Sequence, residues 1–166
     1  MKTLTRVATV LAIAGFGSAQ SASASGWVQL PRGGVGFTTH SASYRQWGMP
    51  RMINGLVSLG RSWNYSHPGR VLNYGDISKY GGGYFPPHVS HRYGVDVDMM
   101  PITTSGSAGY TYVGSWNYSR TYTAQLVWWM WHQGAYRVNV IFFNDSSIGG
   151  RTYWPGHANH LHMRIY

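Results

Sequence analysis

Half of the carboxylates of this 166-residue chain lie in one short segment that also holds two histidines. The segment is PPHVSHRYGVDVDMMP, residues 86–101, and it contains His88, His91, Asp96 and Asp98. The whole chain has four acidic residues, no glutamate and no cysteine. Besides cysteine, imidazole and carboxylate groups are the usual protein ligands of zinc. The segment therefore predicts part of a catalytic metal site.

A second histidine cluster lies at the C-terminus, in HLHMRIY, residues 160–166. Alternate side chains of a strand share a face, so His160, His162 and Arg164 should point the same way. The same alternation in VDVDMM, residues 95–100, puts its two aspartates on one face. Two strands are thus each expected to present a polar face with metal-compatible groups.

The other histidines have a simpler interpretation. A single histidine in a loop is usually solvated or hydrogen-bonded, and we expect this of His40, His67 and His132. The other five of the eight histidines nevertheless lie in the two clusters or, in the case of His157, just before the second, which favours a metal site over chance placement. The sequence lacks H-E-x-x-H, G-x-S-x-G and G-x-x-x-x-G-K-[ST] motifs. Without glutamate, the proton-handling group of a zinc hydrolase must be a histidine or an aspartate.

The order of the predicted strands and helices that position these clusters indicates an α+β domain with a small, largely antiparallel sheet and flanking helices. Strands are predicted over 70–76, 95–100, 137–143 (a buried strand) and 160–166, helices over 50–60 and 123–134, and long Gly- and Tyr-rich loops over 80–87 and 103–121. The second helix should turn four apolar residues towards the core and stop at Gly134; these residues are Leu126, Val127, Met130 and Trp131.

The N-terminus has the layout of a secretory signal peptide, residues 1–24, with basic residues, an apolar stretch and small residues at its end. Its apolar stretch is shorter than the roughly twenty residues of a membrane span. Residues 25–49 are expected to be an N-terminal arm and residues 50–166 the domain that carries both histidine clusters. The net charge of +9 indicates attraction to an anionic cell wall rather than to nucleic acid, with a solubilising role as the alternative.

The ordered motifs resemble a known group of zinc enzymes. HRYGVDVD, residues 91–98, fits the pattern H-x6-D, and HLH, residues 160–162, fits H-x-H. Together they resemble the LAS metallopeptidases, which include D-Ala-D-Ala metallopeptidases. GDIS at 75–78, the two histidines before the aspartates and WPGHANHLHMR at 154–164 are most similar to penicillin-insensitive murein endopeptidases. The resemblance covers residues 50–166.

The resemblance implies a zinc site with three protein ligands, which are His91, Asp98 and His162. It also implies that His160 is the general base that takes a proton from the attacking water. His157 would support that base or stabilise the transition state.

Two further residues have roles implied by the same resemblance, and two arginines are additional candidates. His88 would lie near the metal or bind a second ion, and Asp96 would orient a histidine. Arg92 and Arg164 are candidates for holding a substrate carboxylate, with a solvated surface role as the alternative.

The implied function is that of a periplasmic or secreted zinc endopeptidase whose partner is peptidoglycan and whose target is the D-alanyl-diaminopimelate crosslink. A D,D-carboxypeptidase or dipeptidase of the same fold remains an alternative. A non-catalytic, zinc-containing module that binds the wall is a second alternative, from a different functional class.

Overall fold

The computed structural model describes residues 26–166, so the expected signal peptide lies outside the described residues. These residues form an α+β domain in which α1 is Pro50–Ser66 and α2 is Arg120–His132. The strands are β1 Val28–Gln29, β2 Gly33–Gly34, β3 Phe37–Thr39, β4 Trp47–Gly48, β5 Leu72–Tyr74, β6 Asp96–Met99, β7 Val138–Phe142 and β8 Leu161–Ile165. Neither helix is long and apolar enough to cross a membrane.

Six strands form the main sheet, in the order β2-β3-β5-β6-β8-β7. Only β3 and β5 pair in parallel, so the predicted antiparallel character of the sheet is confirmed. The strands β2 and β3 come from the segment interpreted as an arm, and Phe37 of β3 pairs with Leu72 of β5. Strands this short in a Gly-rich segment carry too little alternation to be recognised from sequence.

The helix α1 extends beyond its predicted end at residue 60. Pro50 lies in its first turn, where backbone N–H groups have no partner within the helix, so the missing N–H of proline does not destabilise it. Residues on one face continue the buried stripe to the end of the helix, and they are Met52, Ile53, Leu56, Leu59 and Trp63. The two glycines that weaken the pattern, Gly55 and Gly60, allow close approach of the rings of Tyr136 and Phe37.

The helix α2 begins at Arg120, before its predicted start, because Ser119 caps its first turn. Leu126, Val127 and Met130 are buried, as predicted. The prediction for Trp131 is wrong, since this side chain is 39 % exposed. Its indole N–H donates to the carbonyl of Gly150 at 2.6 Å. This hydrogen bond holds the ring over the loop that follows β7 instead of in the core.

The strand β7 differs from its prediction as a wholly buried strand. It lies at the edge of the sheet, where β8 is the one strand that it pairs with and Phe142 forms an isolated bridge to Thr152. Val138 and Ile141 are buried, whereas Asn139 is exposed and Val140 is only partly covered. An apolar run does not distinguish an edge strand from a central one, because neighbours in the sheet decide which residues are covered.

Both helices cover the same face of the sheet. Apolar residues of β6 and β8 join the helical residues in one core, and they are Val97, Met99, Leu161, Met163 and Ile165. Strand alternation then directs the aspartates of β6 and the polar residues of β8 to the opposite face. One face of the sheet therefore supplies stability, and the other is available for chemistry.

The contact between α1 and Tyr136 gives a stability test. An alanine Cβ at Gly55 would run into the buried ring of Tyr136. Gly55→Ala should therefore lower the free energy of unfolding by about 1–3 kcal/mol, although alanine gains about 1 kcal/mol in helix propensity. Denaturant unfolding measures the change. Asn54→Ala, on the exposed side of the same helix, is the matched control and should be neutral or slightly stabilising. Equal stability of both variants would contradict this packing.

Candidate active site

The pairing of β6 with β8 creates the polar face of the site. In the antiparallel register Asp98 lies opposite His162, and Asp96 lies opposite Arg164. Residues opposite each other in a ladder point to the same side of the sheet. The sheet therefore brings together two clusters that are far apart in the sequence.

The loop between β5 and β6 adds His91, whose side chain is fully buried. Its Nδ1–H donates to the carbonyl of Ile77 at 2.8 Å, and its own carbonyl accepts a hydrogen bond from the Ser78 hydroxyl. These contacts aim Nε2 of His91 at the strand pair. It lies 3.1 Å from Nδ1 of His162 and 3.2 Å from Oδ1 of Asp98, and those two atoms are 3.0 Å apart.

Three electron-pair donors converge in this triangle. Because a carbonyl oxygen can only accept, Nδ1 of His91 carries its proton and Nε2 presents a lone pair. His162 donates its Nε2–H to Oδ1 of Asp96 at 3.0 Å, which leaves a lone pair on Nδ1. The third corner is a carboxylate oxygen of Asp98. Such a set requires a cation between its members, either a proton or a metal ion.

The electrostatics of the cluster favour a positive charge at its centre. Burial would raise the pKa of Asp98, but the neighbouring imidazoles of His162 and His91 hold it well below its ordinary value. Burial would lower the pKa of His162, but its contacts with Asp96 and Asp98 raise it to about 9, so without a metal ion the cation between the donors is a proton on Nδ1 of this ring. The site thus keeps its carboxylate ionised and attracts a cation.

The four aspartates differ in the residues with which they form ion pairs. Within residues 26–166, three of the four aspartates form an ion pair with an arginine, and these pairs are Arg45–Asp76, Arg164–Asp96 and Arg120–Asp145. The ion-pair partners of Asp98 are all histidines. Asp98 is therefore the one described carboxylate whose charge is left for the histidine cluster.

His88 enters the site through a network that the sequence analysis missed. Its Nε2–H donates to Asp76 at 2.7 Å, and Arg45 holds the same carboxylate with two hydrogen bonds. Nδ1 of His88 then faces Oδ2 of Asp98 at 3.6 Å. His88, His91 and Asp98 form a group whose ligand atoms lie within 4.8 Å of one another and could hold a metal ion.

One signal in the sequence could have found Asp76. It is one of only four acidic residues and lies in the GDIS segment of the resemblance. Arg45 lies in the segment interpreted as an arm, and no local pattern connects it to the histidines.

His160 and His157 line the open side of the cluster. Nδ1–H of His160 donates to Oδ1 of Asn159 at 2.8 Å, so Nε2 keeps a lone pair, 3.9 Å from Oδ1 of Asp98. Burial lowers the pKa of His160, with Asp98 opposing the shift and the neighbouring imidazoles adding to it. His160 is therefore neutral near pH 7, as a base must be. The ring of His157 lies 4.6 Å from that of His160.

Two cavities meet at the cluster. One of about 280 Å³ is lined by His40 and Asp76, and one of about 680 Å³ is lined by Phe142 and Trp154. Pro87, His88 and His160 line both of them. The cleft consequently extends to both sides of the histidine pair.

The structure brings most of the candidate residues into one place. His88, His91, Asp96, Asp98, His157, His160 and His162 form one connected cluster. Arg164 reaches it through Asp96, and Arg92 lines an adjoining cavity.

The remaining histidines are hydrogen-bonded, as expected. His67 contacts Gln125, His132 donates to the carbonyl of Trp128, and His40 contacts Asn73. His40 also lines the smaller cavity, which its position in the sequence did not indicate.

Comparison with known proteins assigns the chain to a family. No curated protein sequence matches it. The model of the penicillin-insensitive murein endopeptidases matches residues 15–126, which is more than half of the chain. The matched range contains the histidines and aspartates of residues 86–101, whereas the histidines of residues 154–166 follow it. The chain belongs to the penicillin-insensitive murein endopeptidase family, a family of peptidoglycan hydrolases.

Proposed function

We propose that the protein is an exported zinc metallopeptidase that cleaves D-alanyl-diaminopimelate crosslinks of peptidoglycan. The observation that carries this proposal is the triangle of lone pairs formed by His91, Asp98 and His162. Family membership supports peptidoglycan as the substrate, and the triangle supports metal-assisted hydrolysis. The antiparallel strand pair that bears the ligands supports a LAS-type metallopeptidase fold.

The donor set fits zinc in type and in spacing. Two neutral imidazoles and one carboxylate are typical of a catalytic zinc, which keeps a further position open. Ligand atoms around a tetrahedral zinc, with bonds of about 2.0–2.2 Å, lie about 3.3–3.6 Å apart. The three separations here are 3.0–3.2 Å, slightly shorter than that range, so small side-chain movements would fit them to the ion. The hydrogen bonds of His91 to a carbonyl and of His162 to a carboxylate are the orienting contacts of metal-binding histidines.

The chain's own residues supply the proton transfer. When bound, zinc polarises the scissile carbonyl and makes a water molecule a stronger nucleophile at neutral pH. His160 accepts the proton of the attacking water on Nε2, because its other nitrogen is occupied by Asn159. The same nitrogen then delivers that proton to the leaving amine. His157 donates its Nδ1–H to the carbonyls of Trp154 and Pro155, which keeps its Nε2 available near the reacting groups.

The shape of the cleft favours an endopeptidase. Cavities on both sides of His88 and His160 can hold chain on each side of the scissile bond. A carboxypeptidase or dipeptidase needs the side beyond the leaving residue to be closed. The accessible lone pair of His160 supports catalysis over a purely structural metal site, which needs no base.

The first test is the analysis of digested wall material. Purified enzyme should convert crosslinked muropeptide dimers to monomers, and a zinc chelator should abolish this reaction. Chromatography with mass spectrometry measures both products. Release of free D-alanine without loss of dimers would identify a carboxypeptidase, and absence of both reactions would contradict an enzymatic role.

Metal removal should also change stability. The unfolded chain cannot hold the three ligands together, so part of the metal-binding free energy becomes folding free energy. We expect a chelator to lower the melting temperature and added zinc to restore it. Metal analysis should give one equivalent per chain; two would place a second ion between His88 and Asp98. A melting temperature that is the same with and without chelator would rule out this site as a metal centre.

His160, which immediately precedes β8, and His162, which lies in β8, should respond differently to substitution. His162→Ala should lose bound zinc, stability and activity together, because it removes a ligand. His160→Ala should keep zinc and the fold but lose about a hundredfold to ten-thousandfold in turnover, as expected for a general base. His132→Ala, exposed at the end of α2, is the control for a histidine outside the site. Loss of zinc from His160→Ala with retention in His162→Ala would reverse the assignment.

A further inference from the structure

We infer that Arg164 and Arg92 form a carboxylate-binding subsite that selects crosslinks with a free carboxylate beside the scissile amide. The inference rests on the proposed function and specifies its substrate. Diaminopimelate with a free carboxylate carries such a group at the residue that supplies the scissile nitrogen. An amidated diaminopimelate or a lysine at that place does not.

A third cavity adjoins the catalytic cleft. It has a volume of about 430 Å³, and both arginines line it. Val89, Ser90 and Arg164 line both this cavity and the 680 Å³ cavity that contains His160 and His162. No acidic residue lines the third cavity. A substrate in the cleft can therefore extend into a compartment whose only charged side chains are cationic.

The position of Arg164 is fixed relative to the catalytic cluster. Its Nε donates to Oδ1 of Asp96 at 2.7 Å, and His162 donates to the same oxygen at 3.0 Å. Asp96 is fully buried, so one immobile atom sets the position of both side chains. A group bound by Arg164 is thereby held close to the reacting bond.

The guanidinium of Arg164 still has most of its donors available. The contact with Asp96 uses Nε alone, and Oδ2 of Asp96 accepts no hydrogen bond in the described part of the chain. Neither Nη of Arg164 donates to another residue within 26–166, and its side chain is 37 % exposed. The two Nη groups form the edge of the fork that binds a carboxylate with two hydrogen bonds.

Arg92 supplies the second positive charge. It is exposed and forms no ion pair with any residue from 26 to 166. Asp96 offsets the charge of Arg164, so Arg92 gives the cavity its net positive charge. The arrangement suits an anion better than a neutral group of the same size, because an amide cannot make the charge-assisted contacts.

The test compares two synthetic crosslinked dimers that differ only in this carboxylate, one free and one amidated. The wild-type enzyme should have kcat/KM about tenfold to a hundredfold higher for the free acid, mainly through KM, as expected for loss of a charge-assisted hydrogen bond. Arg92→Gln and Arg164→Gln should each reduce this preference. Arg164→Lys should keep more of the preference than Arg164→Gln does, because lysine retains the positive charge but lacks the planar guanidinium that makes two hydrogen bonds.

The controls separate binding from structural effects. Arg61→Gln makes the same charge change on the exposed side of α1 and should leave the preference intact. Zinc content and circular dichroism of the Arg164 variants report on the contact with Asp96. A purely structural role would lower kcat equally for both dimers and would overturn the inference, as would equal cleavage of both dimers by the wild type. Cleavage of neither dimer by the wild type would overturn the proposed function and this inference with it.

Discussion

The convergence of three electron-pair donors on one point is the constraint on which the site depends. Oδ1 of Asp98, Nε2 of His91 and Nδ1 of His162 lie 3.0–3.2 Å apart in a buried position. Without a cation, such a set would be strongly repulsive. The fold holds it in place from outside, through the carbonyl that fixes His91 and the carboxylate that fixes His162.

The sheet makes this arrangement possible by separating stability from chemistry. Each of the two central strands β6 and β8 sends apolar residues to the helices and polar residues to the cleft. The helix α1 can lie close to the loop before β7 and to β3 because it has glycines at the two contact points. With no cysteine in the chain, this apolar core is the main source of stability, and a bound metal would add to it.

Carboxylates are scarce in this chain, and each has a distinct task. Asp76 joins Arg45 to His88, and Asp96 joins Arg164 to His162. In both cases an arginine forms an ion pair with the carboxylate while the carboxylate orients a histidine. Asp98 has no arginine and faces the histidines. Two of the four aspartates thus position histidines, and Asp98 is left to face them.

The sequence by itself determined which residues could do chemistry and on which face of its strand each one lies. Alternation in VDVDMM and HLHMRIY is a local property, so the polar faces of β6 and β8 could be predicted correctly. Strand pairing, by contrast, depends on long-range register, and only the tertiary structure decided that Asp98 lies opposite His162. Tertiary contacts also decided that Arg45 reaches the site and that Trp131 covers a loop, because neither position shows in local periodicity. The position of Arg164 follows from the same cause: the buried carboxylate of Asp96 on the neighbouring strand holds its Nε, and its side chain lines both the catalytic cleft and the third cavity.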